Sequence, residues 1–174
     1  MAKIEQEIIK FLGNYPEREF YAQEIVENVQ CSKASASNIL KSLANEGVVF
    51  TNTRGHMKFH RINQKNLKVR QLKINFVLEK LNLIVPKLQK VSQKIFLFGS
   101  ASRGEQTFNS DIDLFVITSH KPDAAAILKK TGKNTKIKAI IKTPSEWSEM
   151  EIKEPEFYQE VKNGIILYNY VPRI

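Results

Sequence analysis

The chain has 174 residues, 42% of them hydrophobic and 26% charged, the balance of a globular protein long enough to bury its own core. Lysine and arginine number 27 against 18 acidic residues, and the net charge of +9 favours a polyanionic partner such as nucleic acid or a nucleotide. The single cysteine, Cys31, excludes an intrachain disulfide framework and a cysteine-rich zinc site, and no apolar run approaches the length of a membrane span.

The first residues, from Met1 to Glu7, read as helical and acidic, with no signal peptide, so a cytoplasmic protein with no membrane partner is expected. Ile4, Ile8, Ile9 and Leu12 follow helical spacing until Gly13-Asn14-Tyr15-Pro16 stops them. A short second helix is predicted from about Tyr21 to Val29. Ser32 then suits the N-cap of a third helix, Lys33 to Asn45, because its hydroxyl can accept an orphan backbone N–H. Ala36, Ile39, Leu40 and Leu43 would face inward there, and Gly47 would close the helix. Val48–Thr53 and Met57–Ile62 read as two strands joined by a turn at Arg54-Gly55-His56.

Three helices followed by a hairpin resemble a winged helix-turn-helix domain over about residues 1–64. The resemblance implies contact with double-stranded DNA. Lys33, Ser35, Ser37 and Lys41 would lie on the recognition helix, where short polar side chains let the backbone approach the groove. Arg54, His56, Lys58 and Arg61 would lie on the wing and reach phosphates. Such domains also serve as dimerisation or partner-docking modules, so that reading stays open. His56 and His60 fall four apart and would share a strand face, but no further ligand stands near them for a metal.

The charge is unevenly placed. Residues 31–65 carry six basic groups against one acid, and residues 66–94 carry seven against one. Residues 95–174 are nearly balanced, at eleven against ten. Two helices are expected in the connecting segment, one to about Leu81 and one from about Ile84 to Gln93, with Pro86 in the first turn of the second.

Ile95-Phe96-Leu97-Phe98 is an apolar run suited to a buried strand, and Gly99-Ser100 ends it. Ser110 to Ile117 reads as the next strand, with Asp111 and Asp113 on one face by alternation. Two carboxylates on one strand face are costly unless a cation sits between them. Hard divalent ions choose oxygen ligands, and Mg²⁺ shared with phosphates needs only one or two protein carboxylates. Gly99 lets the backbone approach closely, and the amides after it can cradle phosphate oxygens together with the Ser100 hydroxyl.

Gly99-Ser100, ten residues, then Asp111-Ile112-Asp113 resembles the motif of the DNA polymerase β-like nucleotidyltransferase superfamily. Arg103-Gly104 and Ser110 match that pattern too. The short remainder, with helices at about Pro122–Lys130, Pro144–Met150 and Pro155–Val161 and strands at Thr135–Ile141 and Gly164–Tyr168, is similar to the minimal members, and Gly132 would follow the first of these helices. The resemblance covers about residues 67–170. It implies Mg²⁺ or Mn²⁺ at the catalytic pair Asp111 and Asp113, and a nucleoside triphosphate, ATP first, at Gly99, Ser100, Arg103 and Ser110. It further suggests adenylyl transfer to a protein acceptor, as in antitoxins that modify a HEPN-type toxin.

The sequence departs from the family at one point. Catalytic members carry a third acid on the next central strand, and none stands between Asp123 and Glu146. Lys136 or Lys138 occupies that place, and Glu105 and Glu146 are the candidates to substitute. Beside Asp111 and Asp113 such a lysine would neutralise part of their charge and weaken metal binding, a contact worth about 4 kcal/mol at about 4 Å and an effective dielectric near 20 before solvation costs; pointed at a phosphate it would instead aid nucleotide binding. Two functions therefore stay open: a nucleotidyltransferase, and a non-catalytic DNA-binding regulator whose second domain binds nucleotide or a partner protein. A homodimer stays open as well. The expected class is α+β, with a winged helix-turn-helix domain at 1–64 and a mixed sheet flanked by helices at 65–174, of which 65–93 are connecting helices.

Overall fold

The computed structural model describes residues 2–131 and 136–171. Met1, Gly132 and Thr135, where a helix start, a helix stop and a strand start are expected, lie outside the described residues. The chain divides into two compact units. One comprises Met1–Lys73 together with Gly104–Asn109, and the other Ile74–Arg103 together with Ser110–Ile174.

The first unit opens with α1 (Lys3–Asn14), β1 (Phe20–Tyr21), α2 (Ala22–Val29) and α3 (Lys33–Asn45). β2 (Val49–Arg54) and β3 (Met57–Ile62) follow, and α4 (Leu67–Leu81) begins in this unit and ends in the other. The three strands form an antiparallel sheet in the order β1-β3-β2. β1 stands where the start of the second helix is expected. Its two residues are extended because they pair with Phe59 and His60, a contact that local sequence cannot signal. The Ser32 hydroxyl accepts the Ser35 N–H at 3.1 Å and caps α3. The apolar positions of the helices converge on one core with Ile8, Ile9, Leu12, Phe20, Ile25, Leu40, Leu43, Val49 and Ile62. Burying each such side chain fully contributes roughly 1.5–3 kcal/mol.

Gly104–Asn109 is held in this first unit by several contacts. The Phe108 N–H donates to the Asn14 carbonyl at 3.0 Å, and the Phe108 ring stacks on Tyr15 at 5.6 Å. The Gln106 side-chain amide donates to the Lys73 carbonyl at 2.8 Å, and Glu105 pairs with Arg70 at 3.6 Å. Gly104 has φ +69°, and a Cβ there would run into the backbone of Arg70. Lys73 itself is buried, with its ammonium donating to the Gly13 carbonyl at 3.0 Å.

The second unit holds the rest of α4, then α5 (Val85–Gln89), β4 (Lys94–Phe98), α6 (Gly99–Ser102) and β5 (Ile112–Ile117). α7 (Lys121–Thr131), β6 (Ile137–Lys142), α8 (Pro144–Lys153), α9 (Pro155–Lys162) and β7 (Ile165–Asn169) complete it. The sheet runs β6-β5-β4-β7, with β5 and β6 parallel and the other pairs antiparallel. A mixed sheet with helices on it is thus the α+β architecture expected. α5 ends at Gln89, four residues short of the predicted Gln93, and Pro86 sits in its first turn.

Alternation along the strands makes two apolar faces. Ile95, Leu97, Ile112, Leu114 and Val116 pack with Val77, Leu81, Leu88 and Ala124. Phe96, Phe98, Phe115 and Ile117 pack instead with Trp147, Met150, Phe157, Tyr158 and Val161 of α8 and α9. Among the described residues no helix is long and apolar enough to cross a membrane.

Candidate functional site

β4 delivers Gly99 at its end, and β5 returns beside it. Phe98 aligns with Asp113 across the antiparallel pair. Gly99 has φ +67°, a conformation that suits glycine, and a Cβ there would lie 2.6 Å from Asp113 Oδ2. The space a side chain would take is thus filled by the Asp113 carboxylate. Gly99 also opens the single-turn helix α6, with Ser100 half-buried in it and Arg103 exposed just past it.

Asp113 lies in β5, on the face of Phe115 and Ile117. Asp111 lies one residue before β5, so the predicted strand starts two residues too early. The pairing nevertheless continues outward, because the Ile112 N–H donates to the Lys136 carbonyl at 2.7 Å. Asp111 is exposed, Asp113 half-buried, and Ser110 half-buried before them. Burial pushes the Asp113 carboxyl above its ordinary value; Lys138 opposes that rise, while Asp111 and Glu160 add to it. Among the described residues neither the Asp111 nor the Asp113 side chain has a hydrogen-bond partner or a close ion pair. Two acceptor-only groups held together without a donor are suited to a cation.

Glu105 lies in the first unit and pairs with Arg70. Glu146 pairs with Lys121 and accepts the Thr143 N–H as part of a capping box at the start of α8. The Lys121 ammonium and that backbone N–H hold its carboxyl down at about 2. Both candidates are therefore committed to other structure. Besides Asp111, the acid whose charge reaches Asp113 is Glu160 on α9, and the sequence reading missed it because only the packing of α9 on the sheet brings it there. No group of three or more histidine, cysteine or acidic residues among the described residues could hold a metal. The donor set present, two carboxylates beside a close-approaching backbone, fits a hard cation that takes its other ligands from water and phosphate.

The residues singled out in the first unit fall on two surfaces. Lys33, Ser37 and Lys41 form an exposed stripe at four-residue spacing on α3. Ser35 is half-buried, and its Oγ accepts the Ser32 hydroxyl at 3.0 Å, so it belongs to the helix cap. On the hairpin, Arg54 and Arg61 share a face with Phe50, Met57 and Phe59. Arg54 is paired with Glu19 and lies over the Phe59 ring. Lys58 points to the opposite face, and His56 is exposed in the turn. His60 is buried, with Nδ1 3.0 Å from the Thr51 hydroxyl. His56 precedes β3, so the two histidines are not a strand-face pair.

Residues 79–172 match the family described as Polymerase beta, Nucleotidyltransferase. The match takes in more than half of the chain, including Gly99, Ser100, Asp111 and Asp113. The chain belongs to this nucleotidyltransferase family. Among solved structures it is similar to one described as "Crystal structure of a putative nucleotidyltransferase from Sulfolobus solfataricus". That similarity has 17% identity and a TM-score of 0.41, and covers 57% of this chain and 86% of the other. No curated protein matches the chain.

Proposed function

We propose that the second unit binds a nucleoside triphosphate, ATP first, with Mg²⁺ or Mn²⁺, and transfers the nucleoside monophosphate to an acceptor. In that reaction the oxygen of an acceptor hydroxyl bonds to the α-phosphorus and its proton passes to water, the bond from that phosphorus to the bridging oxygen breaks, and pyrophosphate leaves with the electron pair. The observation that carries the reading is the carboxylate pair Asp111 and Asp113, with the Asp113 carboxylate in the side-chain space of Gly99 and neither side chain hydrogen-bonded or closely ion-paired among the described residues. Asp111 and Asp113 would hold the divalent ion. Such an ion, when bound, neutralises phosphate charge and polarises the phosphoryl group. Gly99 and Ser100 would receive phosphate oxygens, and Arg103 and Ser110 flank them. The acceptor class carried over from the family resemblance is a protein, a HEPN-type toxin first.

The test is incubation of the full chain with ATP labelled at the α-phosphate, Mg²⁺ and candidate acceptors, beside the variant Asp111→Asn with Asp113→Asn. Label on an acceptor with the parent chain and none with the double variant is the expected result. Label transfer that survives the double variant overturns the assignment.

A second reading concerns the first unit. The exposed Lys33–Ser37–Lys41 stripe on a helix capped by Ser32 favours a winged helix-turn-helix that contacts double-stranded DNA. In that reading the nucleotide site informs a regulator, with or without turnover.

A further inference from the structure

We propose that Lys138 is a phosphate-binding residue, which fixes the triphosphate of the nucleotide against the carboxylate pair. The inference rests on the nucleotide-binding reading above and adds to it the residue on the strand where the family places an acid.

β6 runs parallel to β5, and Asp113 is the register partner of Lys138. Register partners on adjacent strands sit about 4.8 Å apart and project from the same face. Lys138 therefore rises beside Asp113 on the face that Phe115 and Ile140 continue inward. β6 is an edge strand, and Lys138 is exposed on it.

Two roles are open to an ammonium in that place. It could neutralise Asp113, or it could wait for an anion. Neutralisation would show as a close ion pair, as Lys121 makes with Glu146 at 2.6 Å in the same unit. Lys138 makes none among the described residues, although a lysine stem is long enough to reach its strand neighbour. The charge balance points the same way. Two carboxylates and one divalent ion cancel, so the charge of a triphosphate is left for other cations to meet. Lys138 is the cation whose strand position is fixed beside the pair, and a charge-assisted bond to phosphate is among the strong ones.

The experiment is calorimetric titration of the full chain with ATP and with inorganic tripolyphosphate, both in Mg²⁺, for the parent chain, Lys138→Met and Lys138→Arg. Mn²⁺ binding without nucleotide and the melting temperature are measured alongside. Lys138→Met is expected to weaken both ligands by about tenfold. Lys138→Arg is expected to stay within about threefold of the parent, since it keeps the charge. The melting temperature should not move, and Mn²⁺ affinity should rise by no more than about threefold, because the Lys138 charge is felt by Asp113 without a close ion pair.

Unchanged or tighter ligand binding in Lys138→Met overturns the assignment. So does a gain in Mn²⁺ affinity of about tenfold or more, which would make Lys138 chiefly a neutraliser of the aspartates. Weakening for ATP but not for tripolyphosphate also overturns it, because the contact would then be to the nucleoside. A parent chain that binds neither ligand overturns the underlying reading instead. The parent titration thus separates the two failures.

Discussion

At the scale of single residues, Gly99 and Asp113 define the site together. The glycine takes a left-handed backbone and leaves its side-chain space to the carboxylate. Gly99→Ala puts a methyl 2.6 Å from Asp113 Oδ2 and adds strain of about 1–3 kcal/mol. The expected outcome is loss of ATP binding in calorimetry together with a lower denaturation midpoint. Lys73 makes a different prediction. Burial holds its ammonium down at about 8, against an ordinary 10.5, and Glu105 offsets only part of that. Between these values the unfolded chain binds more protons than the folded one, so stability rises with pH. The penalty is fully present below the folded value and is relieved as pH climbs toward 10.5, by up to about 3 kcal/mol. Urea denaturation from pH 7 to 10 checks this. The parent chain should gain stability relative to Lys73→Met across that range, and parallel curves would contradict the assignment.

At the scale of elements, the segment Gly104–Asn109 is the main departure from a reading in chain order. Its neighbours in sequence carry the nucleotide motif, yet its own contacts are to Asn14, Tyr15, Arg70 and Lys73. Phe108→Ala removes the stack on Tyr15 and should cost about 1 kcal/mol in denaturation. Ser32→Ala removes the cap of α3 and should cost a similar amount, about 1 kcal/mol. What was legible in the sequence was local. The apolar run Ile95–Phe98, the glycine after it and the alternating acids announce strand, turn and strand within one short stretch. Ser32 and Pro86 announce helix starts for the same reason. What was not legible depends on distant partners. β1 exists only by pairing with β3, Glu160 reaches Asp113 only through the packing of α9, and Phe108 is held by a ring in α1. Of the third-acid candidates, Glu105 and Glu146 looked available because an ion pair across 25 or more positions leaves no trace in composition.

At the scale of the whole molecule, the charge of +9 is unevenly placed along the chain. Residues 95–174 are close to neutral, so the proposed nucleotide recognition would depend on Asp111, Asp113 and Lys138 in their places and not on a general field. The excess lies over residues 31–94, and on α3 it emerges as Lys33 and Lys41. The winged-helix reading predicts duplex DNA binding that weakens steeply with salt. Replacing Lys33 and Lys41 with alanine should lower the slope of log affinity against log salt by about 2, measured by fluorescence anisotropy. Arg54→Ala should matter less, since that guanidinium is already engaged by Glu19 and Phe59. A salt slope that ignores the α3 lysines would assign that surface to another partner.

The proposed nucleotide and divalent-ion site is formed by Gly99, Asp111 and Asp113. Its most direct test is a crystal structure of the full chain with Mn²⁺ and a non-hydrolysable ATP analogue. The expected result is an anomalous manganese peak between the Asp111 and Asp113 carboxylates, with the triphosphate along Gly99 and Ser100. A triphosphate bound elsewhere, or a manganese ion that ignores these two aspartates, would contradict it.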